Sequence, residues 1–366
     1  MKIALLGAGH IGHTIARLLV ESGDYQLTVV DQSKTSLDKL AKLGVNTAAV
    51  DTSNASALEA AIKGHDAVIN ALPYHLAIRI ATAAKNVGCH YFDLTEDVAA
   101  TKAIMAMAEG AGTAFMPQCG LAPGFIGIVA HHLAQGFDSL DEIKMRVGAL
   151  PAFPTNALKY NLTWSVDGLI NEYCHPCEAI HEGAMTAMLP LEGLEHFSLD
   201  GVEYEAFNTS GGLGTLCETL SGKVRNLDYK SVRYPGHRAL MQFLLSELRL
   251  ASDQEALKDI MRKSVPTTMQ DVVLVFVTVS GMRGGAYVQE VFARKIFAQR
   301  ASGQTEAVSA IQITTAAGIC AAVDLFRTGK LPQRGFIRQE QVALPDFLAN
   351  RFGMAYEQSR RIESIS

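Results

Sequence analysis

The chain has 366 residues, of which 48% are hydrophobic and 19% charged, and its formal net charge is −5 at pH 7. This composition predicts a globular protein of about two domains, each with an apolar core. Its lysines and arginines are scattered, which argues against nucleic acid and anionic membranes as partners. The longest apolar run, Val272–Val279, is too short to span a bilayer, and the chain starts directly in a predicted strand, so we expect a cytoplasmic protein.

The first twelve residues, MKIALLGAGHIG, predict a dinucleotide site. A buried strand, Lys2–Leu6, runs into three glycines and then a helix that includes residues 14–19. The first glycine permits a tight turn, the second lets the backbone approach a pyrophosphate, and the third lets the helix pack on the strand, while the first helical amides face the anion. The glycines are Gly7, Gly9 and Gly12, and the helix-opening residues are His10 and Ile11.

A predicted strand over residues 26–30 is followed by Asp31, at the spacing of an acid that binds the ribose hydroxyls. A 2′-phosphate would meet this carboxylate as a like charge, and no arginine stands at Gln32 or Ser33 to neutralise it. We therefore predict NAD as the cofactor. The alternative is that Asp31 only caps a turn.

Strands and helices continue to alternate through the first third of the chain, which predicts a doubly wound parallel sheet. The strands are expected at 48–50, 67–70, 90–93 and 113–117, and the helices at 55–62, 76–86 and 97–110. The segment Gly120–Gly124 then reads as a hinge, because it is rich in turn-forming residues.

We predict an α/β protein with a Rossmann domain at residues 1–122 and an α+β substrate and dimerisation domain at 123–306. Separated strands such as 142–147 and 272–279 favour the second assignment. A long apolar helix at 307–327 opens a segment, about 307–366, that we expect to return and complete the first domain.

Ligands of such a sheet lie beyond the carboxyl ends of its strands, so residues just after each strand are the candidates for binding and chemistry. The expected cofactor contacts are Asp51 at the adenine and Asn70, Ala71, Leu72 and Pro73 at the ribose and nicotinamide. Asp93 and Glu96 are the candidate catalytic carboxylates. Their alternative role is to cap the helix that follows.

The second domain mixes aromatic, charged and glycine residues in three clusters, which suits a small polar ligand. Arg233 is expected to bind a carboxylate and Asp167 an ammonium, while Tyr160 or Trp164 stacks along an aliphatic chain. Each could equally be a strand-edge turn or surface pair. The full candidate set for substrate binding is Tyr160, Asn161, Trp164, Asp167, Thr209, Ser210, Arg233 and Tyr234, with His237 as a further proton-exchange candidate.

Six dispersed cysteines are typical of reduced thiols in a large chain. The segment Cys174–Cys177 has the spacing of half a metal site, and His175 and His181 lie near it. Because no second such pair exists, we predict a plain loop and no metal, with a structural zinc as the alternative.

The chain resembles the saccharopine dehydrogenase-like oxidoreductases and, within that family, the bacterial lysine-deaminating dehydrogenases. The motifs that carry the resemblance are Gly7–Gly9, Ala71-Leu72, Asp93-Leu94, Gly120–Gly124, Tyr160-Asn161, Ser165 with Asp167–Leu169, Glu205–Phe207, Thr209–Gly212, Tyr229-Lys230, Arg233-Tyr234 and Gly236-His237. Glu96 and Trp164 depart from the residues usual in the family.

The resemblance implies a saccharopine reductase-like fold, a homodimer or higher homo-oligomer, NAD, and a small amino acid substrate. It implies oxidative deamination of the side-chain amine of L-lysine. The product would be 2-aminoadipate 6-semialdehyde, which cyclises to 1-piperideine-6-carboxylate, with release of ammonia.

Two other functions stay open: reductive coupling of an amine with a carbonyl compound, as in saccharopine or carboxynorspermidine formation, and a non-catalytic NAD-binding regulatory role. For deamination the amine must first lose a proton, which costs about 4.6 kcal/mol at pH 7 for an ordinary lysine. Asp93, Glu96 or His237 would accept it. We therefore expect activity to rise toward alkaline pH.

Overall fold

The computed structural model describes residues 1–299 and 307–357, which form two compact units. Unit 1 consists of Met1–Ile128 and Thr314–Ala355. Unit 2 consists of Val129–Ile313, together with Tyr356 and Glu357 among the described residues. Unit 2 is thus inserted into the sequence of unit 1.

The strands, in chain order, are β1 Lys2–Leu6, β2 Gln26–Asp31, β3 Asn46–Ala49, β4 Ala67–Asn70, β5 His90–Asp93, β6 Ala114–Met116, β7 Ser139–Pro151, β8 Cys177–His181, β9 Ala184–Met188, β10 Glu195–Leu199, β11 Val202–Asn208, β12 Val224–Arg233, β13 Asp271–Arg283, β14 Ala286–Phe297 and β15 Gly335–Phe336.

The α-helices, in the same order, are α1 His10–Ser22, α2 Lys34–Ala41, α3 Ala55–Ile62, α4 Ala77–Val87, α5 Val98–Ala108, α6 Phe125–Ala134, α7 Val166–Cys174, α8 Leu216–Leu220, α9 His237–Gln242, α10 Gln254–Ser264, α11 Ala310–Arg327 and α12 Leu344–Ala349.

Unit 1 is built on a parallel sheet with the strand order β15-β6-β5-β4-β1-β2-β3. The side chains of residues 3–6 and 67–69 are fully buried, as expected for strands covered on both faces. The order reverses at β1, where β2 lies on one side and β4 on the other. Such a switch point is where open α/β sheets bind ligands, and it lies beside the glycine turn. The doubly wound sheet predicted from the sequence is confirmed.

One helix of unit 1, α2, was not predicted. It has only eight residues, and only Leu37 and Leu40 are buried. Ser33 caps it by accepting a hydrogen bond from the Ser36 amide. A short, mostly polar helix of this kind leaves little apolar periodicity to detect.

The chain returns to unit 1 through α11. Strand β15 then pairs in parallel with β6, with Gly335 opposite Ala114 and Phe336 opposite Phe115. Helix α11 is long and apolar enough to cross a membrane by composition, but 83% of it is buried within the fold, as in a core helix. The cytoplasmic location stays a prediction.

Unit 2 contains an eight-stranded mixed sheet with the order β10-β11-β12-β7-β13-β14, to which β8 and β9 attach beside β12. Strands β7 and β12 are parallel, whereas β13 is antiparallel to both β7 and β14. One core packs against this sheet around Leu150, Val232 and Leu274. A second core, around Leu169, Phe207 and Leu257, brings together α7, α10 and β11.

The cysteines of the described residues are free thiols. Cys174 ends α7 and Cys177 begins β8, and burial raises the pKa of Cys177 to about 12. Across residues 1–299 and 307–357, no group of three or more His, Cys, Asp or Glu side chains is arranged to hold a metal ion. The nearby ring of His175 is hydrogen-bonded to the Asn171 carbonyl instead, at 2.9 Å.

Candidate functional sites in the two units

The glycine turn of unit 1 leaves an open space at one position only. A side chain at Gly7 would place its Cβ 2.8 Å from the Ala71 carbonyl oxygen, and one at Gly12 would place it 2.0 Å from the Gly7 carbonyl oxygen. Gly7 also has a φ of +109°, which disfavours other residues. At Gly9 a Cβ would meet nothing within 4 Å. Gly7 and Gly12 are therefore needed for packing, while Gly9 keeps clear a space that a ligand can enter.

The N-terminus of α1 fits an anionic ligand. No side chain caps it, and its first turn contains no acidic residue. His10 is exposed and Ile11 is half-buried at this end. The helix dipole and first-turn amides therefore suit a pyrophosphate, and the space at Gly9 lets that group approach. The residues present fit a dinucleotide.

Asp31 ties β2 to the glycine turn. Its carboxylate accepts hydrogen bonds from the Ala8 amide at 2.7 Å and the Ser33 amide at 2.8 Å. Asp31 therefore does stabilise a turn, and the same bonds hold the carboxylate beside the glycines. Asp51 lies one strand further out, is exposed, and has its pKa lowered by a hydrogen bond from the Ser53 amide.

A buried hydrogen-bond network joins the ends of β4 and β5. The Asn70 amide donates to the Tyr91 hydroxyl at 3.2 Å, and that hydroxyl donates to the Asp93 carboxylate at 2.7 Å. Asn70 also accepts from the Leu72 amide, which fixes the Ala71-Leu72 turn against Gly7. Pro73 follows this turn and is exposed. The predicted cofactor residues of β1, β2 and β4 thus lie together around the glycine turn.

Asp93 is fully buried and organises the surrounding loops. Besides Tyr91, it accepts hydrogen bonds from the Thr95 amide at 3.0 Å and the Gln118 amide at 2.9 Å. Burial raises its pKa to about 6, although these hydrogen bonds act in the opposite direction. Its carboxylate is therefore held in place by three donors.

Glu96 is placed differently. The cap of α5 is Asp97, which accepts a hydrogen bond from the Ala100 amide at 2.6 Å, so Glu96 does not cap that helix. Within the described part of the chain, the Glu96 side chain has no hydrogen-bond or ion-pair partner. Burial raises its pKa to about 7, and the negative charges of Asp97 and Asp93 add to this. Glu96 is thus a carboxyl group able to exchange a proton near neutral pH.

The polar cluster of unit 2 is centred on Arg233, which is only 3% exposed. Its Nε donates to the Tyr173 hydroxyl at 2.9 Å and its Nη1 to the Val232 carbonyl at 2.8 Å. The guanidinium lies over the ring of Tyr160, 5.3 Å from the centroid. In the described residues, Nη2 has no hydrogen-bond partner and no carboxylate lies within 4.0 Å of the guanidinium. Arg233 can therefore bind a carboxylate through Nη2.

His237 is fully buried and held on both ring nitrogens. Its Nδ1 lies 2.9 Å from the Leu158 carbonyl, to which it donates, so its Nε2 accepts from the Tyr173 hydroxyl at 3.1 Å. Burial, together with the Arg233 charge, lowers its pKa to about 3. The ring is therefore neutral, and this geometry suits it to orienting Tyr173 and Arg233 rather than exchanging protons.

Other predicted substrate residues lie near this cluster or next to it in the chain. The Trp164 indole donates to the Tyr160 hydroxyl at 3.1 Å. Asn161 is 4% exposed, and its buried Oδ1 has no hydrogen-bond partner, which is a place for a ligand donor. Thr209 is bound to a neighbouring serine on β12, and the Ser210 amide donates to the backbone of α7.

Asp167 and Tyr234 have other partners. Asp167 forms ion pairs with Arg262 at 2.8 Å and Lys258 at 3.3 Å. Partial burial raises its pKa, but the hydrogen bonds from these two cations more than offset this and lower it. The Tyr234 hydroxyl donates to the Pro151 carbonyl at 2.9 Å. In this structure both side chains serve the packing of unit 2.

Sequence reasoning did not single out Glu172, Tyr173 or Glu205, which structure this cluster. Glu172 is buried and lies close enough to Arg233 and Tyr173 for its charge to shift their pKa values. Glu205 accepts hydrogen bonds from the amides of residues 236 and 238, and so holds the turn that presents His237. The available signal for Glu172 was a polar residue inside the otherwise apolar helix α7.

Comparison with known proteins gives matches over both units. The model of the saccharopine dehydrogenase NADP binding domain matches residues 3–115, and that of the saccharopine dehydrogenase C-terminal domain matches residues 120–352.

A saccharopine dehydrogenase [NADP(+), L-glutamate-forming] of Pyricularia oryzae is 23% identical over 280 residues, or 72% of this chain. The chain spans 61% of the length of that relative. The structure of apo saccharopine dehydrogenase (L-Glu forming) from Saccharomyces cerevisiae matches with a TM-score of 0.75 and 16% identity, covering 94% of this chain and 96% of that one. This last likeness shows a shared fold.

Proposed function

The chain belongs to the saccharopine dehydrogenase family, and we propose that it catalyses a saccharopine-type reaction, with hydride transfer at the carbon of a C–N bond in a lysine-derived substrate. The observation that carries the proposal is that both family domains match, in order, over residues 3–115 and 120–352. The chain is thus an oxidoreductase that uses a nicotinamide dinucleotide.

We propose NAD rather than NADP as that dinucleotide. The Asp31 carboxylate is held beside the glycine turn by two backbone amides, and no cation among the described residues forms an ion pair with it. A 2′-phosphate at this position would meet an uncompensated negative charge. The relative from Pyricularia oryzae carries NADP(+) in its name, so cofactor preference would be a difference between the two proteins.

The proton chemistry supports Glu96 as the group that accepts a proton from the substrate amine. Oxidation of an amine needs a free nitrogen lone pair, so the ammonium must lose a proton before hydride leaves the neighbouring carbon. A carboxylate whose pKa is raised to about 7 can take that proton and release it again near neutral pH. The bound dinucleotide supplies the two-electron acceptor. Water then adds to the imine, and the C–N bond breaks to give an aldehyde and an amine.

A second candidate is oxidative deamination of free L-lysine, the lysine 6-dehydrogenase reaction, and the charges of unit 2 favour it. The buried cations described there are Arg146, Lys230, Arg233 and Lys258. Of these, only Arg233 has no carboxylate within 4.0 Å. L-Lysine carries one carboxylate, which one arginine can bind, whereas saccharopine carries three.

The test is a substrate panel followed by NADH or NADPH absorbance at alkaline pH. Saccharopine and L-lysine are each supplied with NAD and with NADP, and ammonia and glutamate are measured in the products. NAD reduction with saccharopine and release of glutamate supports the first proposal. Reduction with L-lysine alone and release of ammonia replaces it with the second.

The reverse direction completes this test. Consumption of NADH only when an amine and a carbonyl partner are both present also supports the saccharopine-type reaction. If NAD raises the melting temperature but no substrate changes the absorbance, the chain is a non-catalytic NAD-binding protein and both catalytic proposals fail. Equal rates with NAD and NADP would contradict the role given to Asp31.

A further inference from the structure

Strand β14 lies at one edge of the unit 2 sheet. It has twelve residues, and within the described parts of the chain it is paired on one side only, with β13. A strand of this length spans about 40 Å. Long open edges are natural sites for pairing with another strand, because their outer amides and carbonyls lack strand partners.

The sequence of β14 is complementary to itself. We propose that two copies of this chain pair β14 with β14 in antiparallel orientation, with the two-fold axis at Phe292. In that register residue i lies opposite residue 584 − i of the partner, so Glu290 faces the Arg294 position and Arg294 faces the Glu290 position. A two-fold interface uses the same patch on both copies, and this patch supplies both charges.

The rest of the register matches in the same way. Apolar residues face apolar residues: Val288 faces position 296, an isoleucine, and Val291 faces position 293, an alanine. Gln289 faces position 295, a lysine, so no like charges are opposed. A slip of one residue would place Glu290 opposite position 293 or 295 and break one or both ion pairs.

The charged side chains of this edge are accessible for such pairing. Glu290 is 34% exposed and forms an ion pair with Arg283 of the same chain. Arg294 is 33% exposed, lies over the ring of Phe292 at 4.5 Å, and reaches Glu357 at 3.4 Å. Exposed ion pairs of this kind contribute little, so each charge can exchange its partner for one across the interface.

Charge reversal at these two positions tests both the interface and its register. The readout is the mass of the full-length protein in solution, measured by light scattering over a concentration series. We expect the wild type to be a dimer or an even multiple of it. Glu290→Arg and Arg294→Glu should each weaken association by at least about 100-fold, because they oppose like charges twice across the two-fold axis. The double variant should restore it, since it exchanges the two charges.

The control is Arg283→Glu, which removes the partner of Glu290 within the chain but lies outside the paired register. It should assemble as the wild type does. As a second measurement, Phe292→Cys should form a disulfide-linked dimer on oxidation, because the two positions face each other at the axis, whereas Tyr287→Cys should not. Circular dichroism confirms that each variant is folded.

A monomeric wild type would overturn the proposal and show that the charges only protect an open edge. Association unaffected by either single reversal, or not restored by the double variant, would overturn it as well. The experiment contains no substrate or cofactor, so its outcome is independent of the proposed reaction.

Discussion

The glycine turn of unit 1 and the Arg233 cluster of unit 2 are specified in different ways. The turn is defined by backbone: Gly12 packs against the Gly7 carbonyl, and Gly9 leaves space above it. The cluster is defined by side chains, in which Arg233 is oriented by Tyr173 and Tyr173 by His237. Changes in the turn should therefore act through fit and folding, and changes in the cluster through the direction of single hydrogen bonds.

The largest effect is expected from Gly12→Ala. The added Cβ would lie 2.0 Å from a backbone oxygen that no side-chain rotation can move, so strand and helix must separate. We expect little folded protein, or a melting temperature lower by at least about 10 °C. The measurement is yield and thermal unfolding by circular dichroism.

Gly9→Ala is the matched control for that variant. It should fold with a melting temperature within about 2 °C of wild type, since nothing lies within 4 Å of its new methyl group. It should bind NADH at least about tenfold more weakly by fluorescence titration, because the methyl enters the space left for the ligand. A stable Gly12→Ala protein, or unchanged NADH binding by Gly9→Ala, would contradict this account of the turn.

A smaller effect, on rate alone, is expected from Glu96→Gln. In the wild type the carboxylate accepts a proton only when ionised, so kcat/KM should rise as the pH increases through about 7. The variant should lose this limb of the pH profile and about 10²- to 10⁴-fold in kcat/KM. Glu109→Gln, at the exposed other end of α5, should behave as the wild type. A variant that keeps both the rate and the limb would exclude Glu96 as the base.

The smallest effects are expected within the Arg233 cluster. Arg233→Lys should raise KM about 10- to 100-fold, because an ammonium lacks the planar fork and cannot reach both Tyr173 and a substrate carboxylate. Tyr173→Phe leaves the guanidinium but removes the hydroxyl that orients it, so KM should rise about threefold to tenfold with little change in kcat. Tyr204→Phe, in the second layer of the sheet core, serves as control.

If Tyr173→Phe lowers kcat and leaves KM unchanged, Tyr173 acts in the reaction rather than in orienting Arg233. If Arg233→Lys binds substrate as the wild type does, another cation holds the carboxylate. Either result would weaken the contrast between the two sites.

The sequence predicted much of unit 1 because its signals are local. The strands Lys2–Leu6, Ala67–Asn70 and His90–Asp93 were predicted with the observed bounds, since each is a short apolar run bounded by turn-forming or polar residues. The glycines are read in the same way, because a turn and its helix are contiguous in sequence.

The cluster of unit 2 could be predicted only in part, because its contacts join distant segments. Asp167 is close to Tyr160 in sequence, yet the first turn of α7 directs it to Arg262 and Lys258 of α10. Tyr173 looks like a core residue of α7, and only the packing of α7 against β12 brings its hydroxyl to Arg233. His237 was assigned a proton-exchange role from its ordinary pKa, whereas its burial could be known only from the fold.

The pairing of β15 with β6 has a consequence for biosynthesis. During translation the N-terminal 128 residues emerge first, but the strand that covers their β6 edge lies more than two hundred residues downstream. The ribosome must therefore synthesise all of unit 2 before that edge is closed, and the buried partners Tyr25 and Asp324, 299 residues apart, meet only then. Such long sequence separations slow folding and leave an open strand on the nascent chain. For this protein, the inserted unit is the first that can complete its fold.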